Sequence, residues 1–316
     1  MSTLKADGIR AFAWHFFGRI GAQGIAFIVS IFLARLLEPA EFGLVAMVSV
    51  IIAIAQVFTT VGLAAALIQR RRVLPVHYCS VFYFNLSIGA LLSLLVFLAA
   101  PLIADFYDQQ QLEPLAQVMS LAFVINAFST VQNTILRKQL KFKLLTKIRI
   151  ASGVISGVVG VLLAVWGAGV WSLVAMSLSA GLSYNVIIWF AAQWQPSLQF
   201  SLKALMQLWS FGARMFLAVL LDTIFTRLDV IIIGKLFAPA TLGFFQRAKG
   251  LNEIVTTYSS GSLVAVLFSL LSKVQKNLPR FQNIAIKTLG IVSFVVFLLI
   301  GVLFVLAEEI IVLLFS

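Results

Sequence analysis

Nine apolar runs of helix-spanning length recur along this chain of 316 residues, separated by short polar breaks. Each is long enough to cross about 30 Å of hydrocarbon at about 1.5 Å per residue, and the apolarity is continuous rather than alternating. A backbone in lipid must satisfy its own polar groups, so the expected fold class is an all-α polytopic membrane protein with about nine transmembrane helices. The runs fall at about 12–37, 42–68, 78–104, 114–135, 146–166, 169–192, 207–237, 242–270 and 281–307. The first follows Lys5 and Arg10, contains Arg19 and lacks a small-residue cleavage site, so it reads as a retained span rather than a secretion signal. Only 11% of the chain is charged against 61% hydrophobic, too little polar surface for a soluble domain.

Net charge is +12, and the positions of the charges decide what it means. With the N-terminus in the cytoplasm, sixteen of the 23 basic residues fall in loops on one side, among them Arg70, Arg71, Arg72, Arg137, Lys138, Lys141, Lys143, Lys147 and Arg149. The opposite loops contain none, which fixes the orientation with the N-terminus inside. The basic loops are topology signals and contacts for anionic lipid headgroups, not a nucleic-acid surface. One cysteine, Cys79, excludes an internal disulfide and a cysteine metal cluster, and His15 and His77 have no acid or cysteine at ligand spacing. Neither a nucleophile elbow nor a phosphate-binding glycine loop is present, so no catalytic residue, metal or cofactor is expected.

Shifted by 200 positions, Ile31-Phe-Leu-Ala-Arg35-Leu-Leu-Glu-Pro39-Ala-Glu-Phe-Gly43 lies on Ile231-Ile-Ile-Gly-Lys235-Leu-Phe-Ala-Pro239-Ala-Thr-Leu-Gly243, with five identities in thirteen positions. A duplicated half explains this. Six spans separate the copies, an even number, so the repeat is parallel. Residues 1–195 read as a six-helix lobe, 196–206 as a connector, and 207–316 as an incomplete second lobe of three helices, as in a C-terminally truncated chain.

Seven basic residues lie in or at the mouths of spans, Arg19, Arg35, Arg214, Arg227, Lys235, Arg247 and Lys249, against three acids, Asp222, Asp229 and Glu253. Charges at membrane depth cost about 3 kcal/mol each and face a partner or a wet cavity. An unbalanced positive set therefore points to an anionic cargo. Polar stripes at helical spacing accompany it: His15, Arg19, Gln23 and Ser30 in the first span, Ser49, Gln56 and Thr60 in the second, Asn126, Thr130 and Asn133 in the fourth, and Gln246, Lys249, Glu253, Thr257 and Ser260 in the eighth. The lumen candidates are Arg19, Gln23, Gln56, Asn126, Arg214, Arg247 and Lys249. Two alternatives stay open: the uncharged side chains could serve only to bond neighbouring helices, and Arg35, Lys235 and Arg247 could snorkel to the interface. Asp222, Asp229 and Glu253 either neutralise nearby basic side chains or bind a coupling cation.

Leu63-Ala-Ala-Ala-Leu-Ile-Gln69-Arg70, Gln132-Asn-Thr-Ile-Leu-Arg137-Lys-Gln-Leu-Lys141-Phe, Gly169-Val-Trp-Ser-Leu-Val174, and Leu228-Asp-Val-Ile-Ile-Ile-Gly-Lys235 with Leu242-Gly-Phe-Phe-Gln-Arg-Ala-Lys249 carry a family resemblance. The chain resembles bacterial oligosaccharide flippases of the Wzx-like, colanic acid type, within the superfamily that includes the multidrug and toxin extrusion exporters. The resemblance implies two six-helix lobes around a cationic cavity. It also implies a lipid-linked oligosaccharide on undecaprenyl pyrophosphate as cargo, flipped by alternating access, with membrane lipids, a polysaccharide polymerase and assembly proteins as partners. It assigns cavity roles to Arg19, Arg214 and Lys249 and an acidic role to Asp229. The alternatives weighed against it are a cation-coupled drug exporter of the same fold, a nonfunctional remnant, and a membrane enzyme of glycan polymerisation or ligation.

Overall fold

The computed structural model describes residues 21–250, apart from 22, 61, 62 and 71 and the side chains of 60 and 209–215, together with scattered positions between 282 and 309. Every regular element among the described residues is helical: α1 (Gln23–Leu36), α2 (Pro39–Thr60), α3 (Leu63–Gln69), α4 (Pro75–Tyr107), α5 (Leu112–Lys138), α6 (Phe142–Val165), α7 (Val170–Ala192) and α8 (Leu202–Leu236). A ninth, α9, opens at Pro239 and is described to Gly250. Five helices, α2 and α4 to α7, are long and apolar enough to cross a membrane, and the chain is a polytopic all-α membrane protein. The predicted eighth and ninth spans lie largely outside the described residues, and the first is described from Gly21.

Two compact units divide the chain, residues 1–243 and 244–316. In the first, α4 lies along α5, α6 along α7, and α5 against α7, while α8 runs beside α2, α3 and α4. Large apolar side chains such as Phe123, Leu67 and Leu136 fill the space between helices, and α4 adds small and polar residues to its buried face. Leu91, Leu94, Leu95, Leu98 and Leu102 of α4 are exposed, which suits a lipid-facing stripe, whereas Ser80, Asn85, Gly89 and Ser93 are buried. A Cβ on Gly89 would sit 2.9 Å from the Phe123 carbonyl oxygen, and Ser93 Oγ lies 3.3 Å from Ser120 Oγ. Small residues that let backbones approach, with hydroxyls bonded across, hold helices together where lipid removes the hydrophobic drive. Gly157 and Gly160 do the same on α6, against Val29 and Met176, while a Cβ on Gly153 would meet no described atom within 4 Å. The α6–α7 turn needs positive φ at Gly167 and Gly169, as their glycine identity predicts.

The ends of α3, α5 and α7 and the starts of α4, α6 and α8 gather at one end of the bundle, called here the basic end. Lys138 closes α5 there by donating to the carbonyls of Leu67 and Arg70, 2.8 and 2.6 Å away, so its ammonium satisfies orphan acceptors at the α3 C-terminus. His77 Nδ1 accepts from the Leu74 N–H, which leaves Nε2 to donate to Gln207 Oε1, an acceptor shared with Arg70 Nη2 at 2.7 Å. These bonds tie α8 to α3 and α4. The helix α8 starts at Leu202, five residues before the expected span, because the Ser201 side chain accepts from the Ala204 N–H and so caps it. Lys138→Ala is expected to lower stability by roughly 1.5–3 kcal/mol, the usual worth of hydrogen bonds to a charged group, read as thermal unfolding in detergent. Lys147→Ala, on an exposed side chain of the neighbouring helix, serves as the comparison, with a smaller expected loss.

Candidate binding face and the repeated turn

The duplicated segment keeps its register in three dimensions. Leu37 N–H donates to Leu33 O and Phe237 N–H to Ile233 O, both at 2.9 Å, and Glu41 and Thr241 N–H donate to Glu38 and Ala238 O at 3.1 and 3.0 Å. Each copy therefore ends one helix, turns at a residue preceding proline and restarts with proline at the first helical position, where its missing N–H costs nothing. In the first copy Glu41 also reaches back to accept the Glu38 N–H at 2.8 Å.

The copies meet each other reciprocally. A Cβ on Gly43 would overlap the carbonyl oxygen of Pro239 and lie 3.0 Å from the Pro239 Cα; a Cβ on Gly243 would overlap the carbonyl of Pro39 and lie 3.2 Å from its Cα. Residue i of one copy touches residue j of the other, and j touches i, which is the signature of a two-fold axis. Beside this contact Gly234 passes under Tyr107, Met47 and Leu242. Lys235 Nζ reaches Asp108 Oδ2 at 2.7 Å and sits 5.5 Å from the Phe106 ring centroid. Lys235 thus ends in a carboxylate rather than only in the interface. Both members of that pair keep solvent access, with side chains 38% and 81% exposed, so Asp108→Asn is expected to shift stability by less than about 1 kcal/mol, measured by thermal unfolding.

Between the two ends runs a polar seam. Asn126 Nδ2 of α5 donates to Gln56 Oε1 of α2 at 3.2 Å, and Gln56 Nε2 donates to Thr59 Oγ1 at 2.6 Å. Thr130 Oγ1 bonds the Asn126 carbonyl at 3.0 Å. Asn126, Thr130, Asn133 and Arg137 repeat at helical spacing along α5, and exposure rises from half-buried to exposed toward Arg137.

The other sequence-chosen residues are spread out. Gln23 is exposed on α1. Asp222 is exposed on α8, and its main-chain carbonyl accepts from Thr226 Oγ1 at 2.8 Å, while Asp229 Oδ1 accepts the Val230 N–H at 2.8 Å. Arg214 lies on the α8 backbone trace, with its side chain outside the described residues. Arg19 and Glu253 also lie outside the described residues. In the second unit Lys249 Nζ sits 5.8 Å from the Phe245 ring centroid, and Arg247 is half-buried. Among the described residues no group of three His, Cys, Asp or Glu is placed to hold a metal ion.

A family model described as polysaccharide biosynthesis protein matches residues 32–316. The chain is similar to the teichuronic acid biosynthesis protein TuaB of Bacillus subtilis, 29% identical over 76% of this chain and 51% of that one. It is similar to the lipopolysaccharide biosynthesis protein WzxC of Escherichia coli, at 22% over 93% of this chain and 60% of the relative. With the succinoglycan biosynthesis transport protein ExoT of Rhizobium meliloti it shares 25% over 88% of this chain and 56% of the relative. The chain thus spans between 51% and 60% of the length of these three curated relatives. No solved structure matches it.

Proposed function

The chain belongs to the polysaccharide biosynthesis protein family, and from that premise we propose that it serves as an inner-membrane flippase for lipid-linked oligosaccharide units. The observation that carries this reading is the match over residues 32–316 to a family whose relatives are named for teichuronic acid and lipopolysaccharide biosynthesis and for succinoglycan transport. The charge pattern supports it: the basic end becomes the cytoplasmic face, with the N-terminus inside, and the repeated turns become the periplasmic face. Residues 1–195 and 207–316 belong to two lobes joined by 196–206. They rock about the interface at which Pro39 and Gly43 meet Gly243 and Pro239.

In this reading the Gln56–Asn126 seam hydrates sugar, and Arg19, Arg214 and Lys249, with Arg247 and Gln23, line the path of the anionic headgroup. Asp222, Asp229 and Glu253 balance part of that charge. No covalent step is needed. The described turn-end connections support transport over glycan polymerisation, since Asp108–Gln111 and Trp166–Gly169 are too short to present a catalytic domain.

The test is complementation. Residues 1–316 are expressed in a strain lacking its own oligosaccharide flippase, membrane insertion is confirmed, and surface polymer is measured. Restored polymer is the expected result; inserted protein without polymer overturns flipping by this chain.

A further inference from the structure

We propose that Arg137, Arg149 and Tyr184 form a binding site for a phosphate group at the basic end of the α5–α6–α7 corner. Apolar packing brings the three together. Leu136 of α5, Leu145 and Ile148 of α6 and Ile188 of α7 form one buried cluster, and Tyr184 packs against it. Arg137 follows Leu136 and Arg149 follows Ile148, so each guanidinium leaves the cluster at its rim. The two charges lie within Coulombic range of each other and of the Tyr184 hydroxyl, with Arg149 facing that hydroxyl. The hydroxyl oxygen is buried, with Arg149 reaching toward it short of good hydrogen-bond geometry, and one turn before Arg137 the buried Asn133 Oδ1 has no hydrogen-bond partner among the described residues.

Two like charges held side by side repel unless something negative sits between them. The helices that carry them supply nothing negative at that end. From residue 114 to residue 221 the chain contains no aspartate or glutamate, while the same stretch carries Arg137, Lys138, Lys141, Lys143, Lys147, Arg149, Lys203 and Arg214. Lys138 is spent on the Leu67 and Arg70 carbonyls. Both arginine side chains are exposed, so an anion can reach them. Two planar forks and a phenolic O–H suit the several acceptor oxygens of a phosphate, where a lysine would offer only a point charge. Arg149 stands seven residues inside α6, about 10 Å from its start, which is headgroup rather than midplane depth.

A phosphate at that depth comes either from a lipid headgroup or from solution. Only the identity of its carrier rests on the flippase reading, in which the site would receive the cargo's pyrophosphate before it enters the seam. Purified chain in neutral detergent is titrated with inorganic pyrophosphate by calorimetry, and in parallel with phosphatidic acid, with bound lipid counted by native mass spectrometry. Arg137→Gln with Arg149→Gln is expected to weaken binding at least tenfold, Tyr184→Phe a few-fold, and Arg137→Lys with Arg149→Lys to an intermediate degree. Lys143→Gln with Lys147→Gln removes the same charge from the same rim and is expected to change binding less than twofold. Lipid binding without pyrophosphate binding assigns the headgroup source; pyrophosphate binding with competition against lipid assigns the phosphate itself. Equal losses in the arginine and lysine pairs, or no binding to either probe by the folded parent, overturn the site. Because the readout is binding, failed complementation with intact binding would remove the flippase reading and leave this site standing.

Discussion

Replacing Gly43 by alanine is expected to destabilise the protein by about 1–3 kcal/mol, and Gly243→Ala by a similar amount, because both insert a methyl into backbone. The groups in the way are the Pro239 and Pro39 carbonyls, which cannot swing aside as a side-chain end would. The Cα–H···O contacts that these glycines permit are weak singly but recur wherever helices approach closely. Gly153 supplies the opposite sign. It sits in the middle of α6 with no described atom within 4 Å of an added Cβ, so Gly153→Ala is expected to gain up to about 1 kcal/mol from helix propensity. Thermal unfolding of the three variants in one detergent separates the cases. Matching losses at Gly43 and Gly243 would follow from the two-fold relation between the copies. A loss at one glycine alone would show that the reciprocal contact is not a unit, and equal behaviour of Gly43→Ala and Gly153→Ala would remove it altogether. If the lobes rock about this contact, export in the complementation strain falls with stability for both turn variants and stays unchanged for Gly153→Ala.

The helical bundle was legible because its physics is one-dimensional: a long apolar run has one way to satisfy its backbone in lipid. The repeat was legible for a related reason. Pro39 and Gly43 are fixed by backbone needs, a helix start and a close approach, and such needs survive duplication better than side-chain identities do. What the sequence could not show is that each copy needs its glycine for the other copy's proline, since 200 positions separate them. Lys235 illustrates the same limit. Read alone it is a lysine near a helix end, free to snorkel; its carboxylate partner, Asp108, belongs to a different connection. Gln56 and Asn126 were found from helical spacing, and they do meet, because each faces inward on its own helix and α2 lies against α5. In the sequence Arg137 and Arg149 read as topology signals and contacts for anionic lipid headgroups, with nothing to set them apart from the lysines beside them. The signal that could have singled them out is the absence of acids over residues 114–221, which leaves the paired arginines with no counter-ion at that end of their own helices.

Arg214→Ala is expected to reduce export roughly tenfold or more while leaving stability equal or improved, and that dissociation distinguishes a functional charge from a structural one. The position sets the expectation. Arg214 lies twelve residues into α8, about 18 Å along a helix that begins at the basic end, which is mid-membrane depth in the proposed flippase reading. A charge there costs about 3 kcal/mol on lenient scales, and deleting it should return that cost to the fold if its purpose is to meet cargo. Lys203, exposed on the first turn of the same helix, provides the comparison: Lys203→Ala is expected to change export less than twofold. Arg214→Lys should retain part of the activity, since the charge remains while the bidentate fork that suits a phosphate is lost. Export and unfolding temperature are measured on the same membranes. Were Arg214→Ala to lose both together, the side chain would be bracing α8 rather than meeting an anion. Were Arg214→Ala and Lys203→Ala to reduce export equally, the effect would lie in the overall positive field of the basic end and not in a charge at depth.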